Sequence, residues 1–239
     1  WENQLKNLDV QNLTSLQKLN CGKNKLPALN VSGLTTLKEL SCYNNQLTSL
    51  DVQGLTNLQQ FHCANNQLTE LDVKGFTALQ WFSCNDNQIP ELNVQGLTAL
   101  SRFDCYGNKL TELDVKGLTA LKFLFCNDNQ LTNLDVQGLT TLERLDCYGN
   151  KLKSLNVQGL TALENIFCYS NEFDAQAMTA LLNALPARAK KDYAKATLYT
   201  EYHTEGNHKD FTQGEDLKKA VGEVKAKHWK LMKKDEYGS

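Results

Sequence analysis

The chain has 239 residues, 41% of them hydrophobic, and a formal net charge of −2 at pH 7. That is ample apolar material for a stable core, and the near-neutral balance argues against a nucleic-acid partner, which would want a strongly basic face. No apolar run approaches the roughly 18 residues of a membrane-spanning helix, so membrane insertion is not expected. Neither a starting Met nor a signal peptide opens the sequence.

At the start, Trp1-Glu2-Asn3-Gln4-Leu5 aligns with the N-Q-L of later segments. The chain is therefore read as opening in mid-repeat, a fragment whose natural N-terminal cap is missing. Eight cysteines follow, Cys21, Cys42, Cys63, Cys84, Cys105, Cys126, Cys147 and Cys168, each 21 residues from the last. Three residues after each comes an asparagine: Asn24, Asn45, Asn66, Asn87, Asn108, Asn129, Asn150 and Asn171. A period held this strictly means one structural unit copied along an axis. Leu37 to Thr56 shows it as LKELSCYNNQLTSLDVQGLT. This is a leucine-rich repeat in which cysteine replaces the second leucine of the L-x-L strand core. The fold expected for residues 1–173 is a solenoid, a right-handed parallel β superhelix or horseshoe of about eight 21-residue coils.

Leu40, Cys42 and their equivalents alternate with polar residues at period two, the sign of a strand with one buried face. Parallel strands about 4.8 Å apart would make a sheet spanning roughly 35 Å from the first cysteine strand to the last. The asparagines leave the strand at a turn, where the amide can satisfy backbone groups of its own and the next coil. Leu47, Leu50, Val52 and Leu55 fill the rest of the coil, and Gly54 permits the tight convex turn. So short a coil leaves no room for a full convex helix; short extended or 3₁₀ pieces are expected. The column Asp9, Asn30, Asp51, Asp72, Asn93, Asp114, Asp135, Asn156 reads as turn-forming Asx residues.

The thiols read as a ladder of reduced, buried, small apolar groups. Equivalent residues on in-register parallel strands lie about 4.8 Å apart with parallel side-chain vectors, whereas a disulfide wants converging Cβ atoms about 3.8 Å apart. A straight file cannot converge on zinc either. Asn85-Asp86 and Asn127-Asp128 lack the spaced ligands of a calcium loop. His62, His203, His208 and His228 have no metal-ligand spacing. No cofactor or metal is expected.

After Asn171 the pattern stops, and residues 174–239 read as an α/β C-terminal cap covering the open end of the solenoid. Asp174 caps a helix over Ala175–Ala184 with Met178, Leu181, Leu182 and Leu185 inward, ended by Pro186. A strand is expected over Ala196–Tyr202, a turn at Thr204–Asn207, a helix over Glu215–Lys227 and a last strand at Trp229–Met232. This helix–strand–helix–strand run fits two larger coils continuing the parallel sheet.

Strand positions outside the core point to the concave face and vary from coil to coil. They bring Tyr43, His62, Trp81, Arg102, Asp104, Tyr106, Phe123, Phe125, Arg144, Asp146, Tyr148, Phe167 and Tyr169 to one surface, the candidate ligand-binding site. Phe61, Phe82 and Phe103 belong to the leucine core column. Arg102 with Asp104, and Arg144 with Asp146, are expected as local surface ion pairs of little weight. Interface cores favour Tyr, Trp, Phe and Arg, so the aromatics fit a macromolecular binding patch; stacking along a sheet for stability is the other reading. No nucleophile–base or acid pair stands at a spacing that would bring it together, so no enzyme is expected.

The motif L-T-x-L-D-V-x-G-L-T-x-L-x-x-L-x-C-x-x-N-Q resembles the cysteine-ladder repeats of internalin J-like bacterial surface proteins, over residues 3–173. The tail, through Leu185-Pro186, Glu205-Gly206-Asn207 and Ala226-Lys227-His228-Trp229, resembles caps on such proteins of the Bacteroides and Porphyromonas type. The resemblance implies a non-enzymatic, secreted or surface-displayed protein in adhesion, biofilm formation or host-cell invasion. Its partner would be a protein, either a host receptor or a bacterial surface molecule. A glycan ligand is one alternative; a structural role, with a homodimer through the exposed N-terminal edge, is another.

Overall fold

The computed structural model describes residues 3–200 and 206–234. Trp1, Glu2, Tyr202, His203, Thr204 and Glu205 lie outside them. The repeats contribute three-residue strands: β1 (Lys18–Asn20), β2 (Glu39–Ser41), β3 (Gln60–His62), β4 (Trp81–Ser83), β5 (Arg102–Asp104), β6 (Phe123–Phe125), β7 (Arg144–Asp146) and β8 (Asn165–Phe167). With β9 (Lys195–Thr200) and β10 (Lys230–Lys234) they form a ten-stranded parallel sheet in chain order. Equivalent residues pair directly, as in Phe82 against Phe103. Each repeat strand presents its central residue inward, and Leu40, Phe61, Phe82, Phe103, Leu124, Leu145 and Ile166 are wholly buried. Phe61, Phe82 and Phe103 stack at 5.5 and 5.4 Å between ring centroids.

A 21-residue coil must turn back twice on its convex side, and it does so with two consecutive β-turns. Leu34 N–H donates to Val31 O (3.2 Å) and Leu37 N–H to Leu34 O (3.0 Å). Gly33 sits in the first of these turns at φ +78°, which an L side chain adopts only with strain; Asn12 takes that position in the first coil at φ +65°. The preceding Asx residue braces the turn, with Asp51 Oδ1 accepting from Gln53 N–H at 2.9 Å. The 3₁₀ pieces expected here are thus replaced by paired turns. Among the described residues the 3₁₀ conformation occurs at Lys190–Asp192.

The asparagine ladder ties coil to coil. Asn129 Nδ2 donates to Cys126 O (3.1 Å) and Asn127 O (3.2 Å) in its own coil and to Cys105 O (3.1 Å) in the preceding one. Its Oδ1 accepts from Leu110 N–H at 3.0 Å, again in the preceding coil. The amide therefore reaches back rather than forward, a correction to the expectation from sequence. The reason is that the carbonyl stranded by each turn belongs to the coil already laid down. One residue before each ladder asparagine the backbone is left-handed, from Lys23 to Ser170.

All eight cysteines are buried, and none is in a disulfide. Burial raises the Cys21 pKa to about 11 and those of Cys42, Cys63, Cys84, Cys105, Cys126 and Cys147 further still. They stay protonated at neutral pH and pack as small apolar groups.

The C-terminal coils are built differently. Helix α1 (Ala175–Ala184) is capped by Asp174, whose side chain accepts from Ala177 N–H at 2.7 Å, and buries Met178, Leu181 and Leu182. Helix α2 (Glu215–Ala226) packs beside it, burying Leu217, Ala220 and Val224. Strand β9 starts one residue before its expected position. Strand β10 is shifted to Lys230–Lys234, because Trp229 instead turns inward and donates from Nε1 to Pro186 O at 2.7 Å. Arg188 clasps the cap to the last repeat: Nη1 donates to Thr161 O (2.7 Å), and Nη2 contacts Glu164 (2.9 Å) and Asp192 (3.2 Å).

Asn207, expected in a surface turn, is instead a further rung of the ladder. It is buried, donates from Nδ2 to Cys168 O and Leu198 O (2.8 Å each), and accepts at Oδ1 from Phe173 N–H (2.9 Å). Leu198 follows Thr197, the partner of Phe167, and so occupies the cysteine column. Beside Asn207, Gly206 lies against the backbone, where an added Cβ would meet Asn171 O.

Candidate functional site

The concave floor from β3 to β8 carries side chains that coil closure does not require. The strand register sets Trp81, Arg102, Phe123 and Arg144 in one row. The next row holds His62, Ser83, Asp104, Phe125, Asp146 and Phe167. Because the second row alternates aspartate with phenylalanine from β5 to β8, the arginines of the first row lean across and fit between rings. Arg102 Cζ lies 4.9 Å from the Trp81 ring centroid and 5.0 Å from that of Phe125. Arg144 Cζ lies 5.2 Å from Phe125 and 4.7 Å from Phe167. His62 meets Trp81 edge-on at 4.5 Å. The result is an alternating ridge, Trp81–Arg102–Phe125–Arg144–Phe167, in which each arginine is held between two rings.

Two carboxylates lie under this ridge. Asp104 and Asp146 are each only 5% exposed, a correction to their expected place on the surface. Arg102 Nε donates to both oxygens of Asp104 (3.1 and 3.0 Å), and Trp81 Nε1 approaches the same carboxylate at 3.4 Å. Arg144 grips Asp146 bidentately, from Nε (2.8 Å) and Nη2 (2.9 Å). These are not solvent-screened surface pairs: removing either arginine would leave a buried, uncompensated charge. Burial pushes the Asp104 carboxyl above its usual range against the pull of Arg102. Burial, and then Arg102, lower His62, which keeps the imidazole neutral at pH 7. The bond to Asp146 raises Arg144.

A second tier flanks the ridge. Tyr148 and Tyr169 stack at 4.4 Å, and burial raises both phenols, as it does that of Tyr106. Tyr43 lies over Gly22, where a Cβ would come within 2.5 Å of its ring. Asn85 and Asn127 are buried, and each donates to the aspartate that follows it, Asp86 or Asp128, at 2.7 Å. Those aspartates lie over Gly107 and Gly149, which have no Cβ to obstruct them. Phe123 is half-buried and takes no part in the ring stacks.

The interleaving was missed in reading the rows singly, yet it has a signal. R-x-D-C-Y-G-N occurs at Arg102–Asn108 and Arg144–Asn150, and C-N-D-N at Cys84–Asn87 and Cys126–Asn129. The floor thus repeats every second coil, once for each arginine–aspartate unit. Among the described residues no group of three or more His, Cys, Asp or Glu side chains is placed to hold a metal ion. What the floor offers is aromatic and guanidinium surface of fixed geometry.

A family model described as leucine-rich repeats (2 copies) matches residues 35–75. No curated protein matches the sequence. Among solved structures, the functional domain of InlJ from Listeria monocytogenes, which includes a cysteine ladder, superposes with a TM-score of 0.74 at 35% identity. That match covers 88% of this chain and 44% of the InlJ domain. The internalin inlF of Listeria monocytogenes gives 0.71 at 23% identity, over 95% of this chain and 63% of the other. YopM from Yersinia enterocolitica gives 0.63 at 22%, over 82% and 44%. The chain thus spans less than half the length of the InlJ domain it matches. Its stacked parallel strands, file of buried thiols and likeness to these structures make the chain a leucine-rich-repeat solenoid, similar in fold to the listerial internalins.

Proposed function

We propose that the chain is a non-enzymatic protein-binding module that engages its partner through the concave floor between β3 and β8. The observation that carries this reading is the Trp81–Arg102–Phe125–Arg144–Phe167 ridge, anchored on buried Asp104 and Asp146. Two buried aspartates cost desolvation that leucines would not incur, and the coil closes without them. They hold two arginines upright between rings, which removes much of the side-chain entropy a partner would otherwise have to freeze. Tryptophan, tyrosine and arginine are also the residues that dominate binding energy at protein interfaces.

The likeness to listerial internalins supports an extracellular setting, at a bacterial surface or secreted, with a role in adhesion, biofilm formation or host-cell invasion. Among the described residues no helix is long and apolar enough to cross a membrane. The C-terminal coils serve in this reading as a lid on the solenoid rather than as an effector domain.

The test is binding of the purified protein to epithelial cells and to bacterial cells, wild type against Trp81→Ala/Phe125→Ala, with circular dichroism verifying the fold. The expected loss is about tenfold or more, unchanged when cell-surface sugars are first oxidised with periodate. Undiminished binding by the variant removes the ridge from the interface. Binding lost only on periodate treatment turns the floor into a glycan site.

A further inference from the structure

A second surface lies away from the concave ridge, where the chain enters β9 and β10. Lys190, Lys191, Lys195, Lys230, Tyr193 and His228 line a cleft of about 860 Å³ whose polar walls carry no acidic side chain. Lys195 and Lys230 are in direct register on neighbouring parallel strands. Like charges directly opposite each other in a sheet destabilise it, so nothing in folding favours this pair. The four lysines form no ion pair among the described residues. The nearby carboxylate, Asp192, is turned away onto Arg188 and the Ala189 amide.

Tyr193 and His228 are left-handed at φ +51° and +66° because they close the 3₁₀ turn Lys190–Asp192 and helix α2. The Tyr193 ring stands 79% exposed at the wall of the cleft, with no hydrogen-bond or ring partner among the described residues.

We propose that this cleft binds a sulfated polysaccharide, with the Tyr193 ring against a sugar face and the lysines on its sulfates. Lysine is a compact point charge without the fork that favours a single bidentate carboxylate, so four of them suit a densely charged chain. Of the aromatic Tyr193 and Trp229 on its wall, only Tyr193 is exposed, too little for nucleic acid, which is held single-stranded on successive aromatic platforms. An anionic membrane would want a broad exposed apolar face beside the cations, and the cleft adds to Tyr193 only Ala194 and Trp229, both buried.

The test is titration of the protein with heparin, with fully desulfated heparin, with a single-stranded DNA oligonucleotide and with phosphatidylserine/phosphatidylcholine vesicles. Heparin alone is expected to bind, more weakly as salt rises. Lys195→Gln/Lys230→Gln should weaken it about tenfold and Tyr193→Ala about threefold. Lys74→Gln/Lys116→Gln on the convex side should leave it unchanged, as should Trp81→Ala/Phe125→Ala. The lysine and tyrosine substitutions are at exposed positions, and circular dichroism checks all the folds; were the double variant to misfold, Lys190→Gln/Lys191→Gln and Tyr193→Ala carry the same test. Heparin binding undiminished by the cleft variants overturns the proposal, as does failure of heparin to bind. DNA or vesicles binding as tightly as heparin, through the same lysines, overturns the polysaccharide assignment.

Discussion

The repeats and the C-terminal coils solve one problem by two routes. Each must satisfy the carbonyls left pointing along the solenoid axis and fill the column beneath them. The repeats do so with Cys and Asn three residues apart, both on the same short turn. The C-terminal coils use Leu198 in the thiol column, and their amide arrives nine residues later from Asn207. Hydrogen bonding is equivalent in the two places, but only the repeat makes it local. The coil-to-coil joint is therefore a requirement for one buried amide and one apolar filler, and the 21-residue repeat supplies both within one turn.

Alkaline pH should separate the two regions most strongly, because every thiol belongs to the repeats. Unfolded cysteines ionise near pH 9, while burial keeps the folded thiols protonated well beyond. Above that point the unfolded state binds fewer protons than the folded one, so stability falls as pH rises. The stabilisation is whole below pH 9 and is lost progressively above it. Each buried thiol contributes about 1.4 kcal/mol per pH unit once its unfolded counterpart is ionised, so urea midpoints should drop steeply between about pH 9 and 10.5. Cys105→Ala/Cys126→Ala should flatten the slope. A pH-independent midpoint across that range would mean that the thiols are not buried as a ladder.

Single rungs come next. Asn129→Ala removes four hydrogen bonds inside the repeats and should cost about 3–5 kcal/mol, read as a lower urea midpoint of the whole chain. Asn207→Ala removes the bonds to Cys168 O, Leu198 O and Phe173 N–H and should cost about 2–4 kcal/mol. Here the damage should be confined: hydrogen exchange should quicken in β9, α2 and β10 while β3 to β7 keep their protection. Gly206→Ala should reproduce that local pattern by steric conflict with Asn171 O. Uniform loss of protection in the Asn207 variant would show that the terminal coils and the repeats form one cooperative unit.

The same contrast explains what could be read in the sequence. Strand positions, the buried Phe61, Phe82 and Phe103, the Asx turns and the thiol file all follow from periodicity, which fixes each residue's role by its copies. Asn207 has no copy at its offset, and an asparagine beside a glycine ordinarily signals a turn; only the register of β9 reveals it as a rung. The concave residues were legible as a surface, but burial of Asp104 and Asp146 was not. Alternation tells which face a side chain leaves from, and not whether an arginine and two rings then close over it. The sequence places Trp229 at the start of the last strand, whereas its indole donor finds Pro186 O and draws the residue inward.

Arg188 makes the smallest but most discriminating break between the regions, since, like Asn207, its side chain reaches both. Its guanidinium reaches Thr161 O and Glu164 in the last repeat and Asp192 in the cap, and its side chain is only 12% exposed. Arg188→Ala should cost about 1–2 kcal/mol, because Glu164 is open enough to rehydrate while Asp192 is less so. Arg188→Lys keeps the charge but not the fork, and should recover less than half of the loss. If the clasp rather than Asn207 docks the cap, hydrogen exchange in β9 will respond more to Arg188→Ala than to Asn207→Ala. The buried amide, bonded to backbone of both regions, makes the opposite order the expected one.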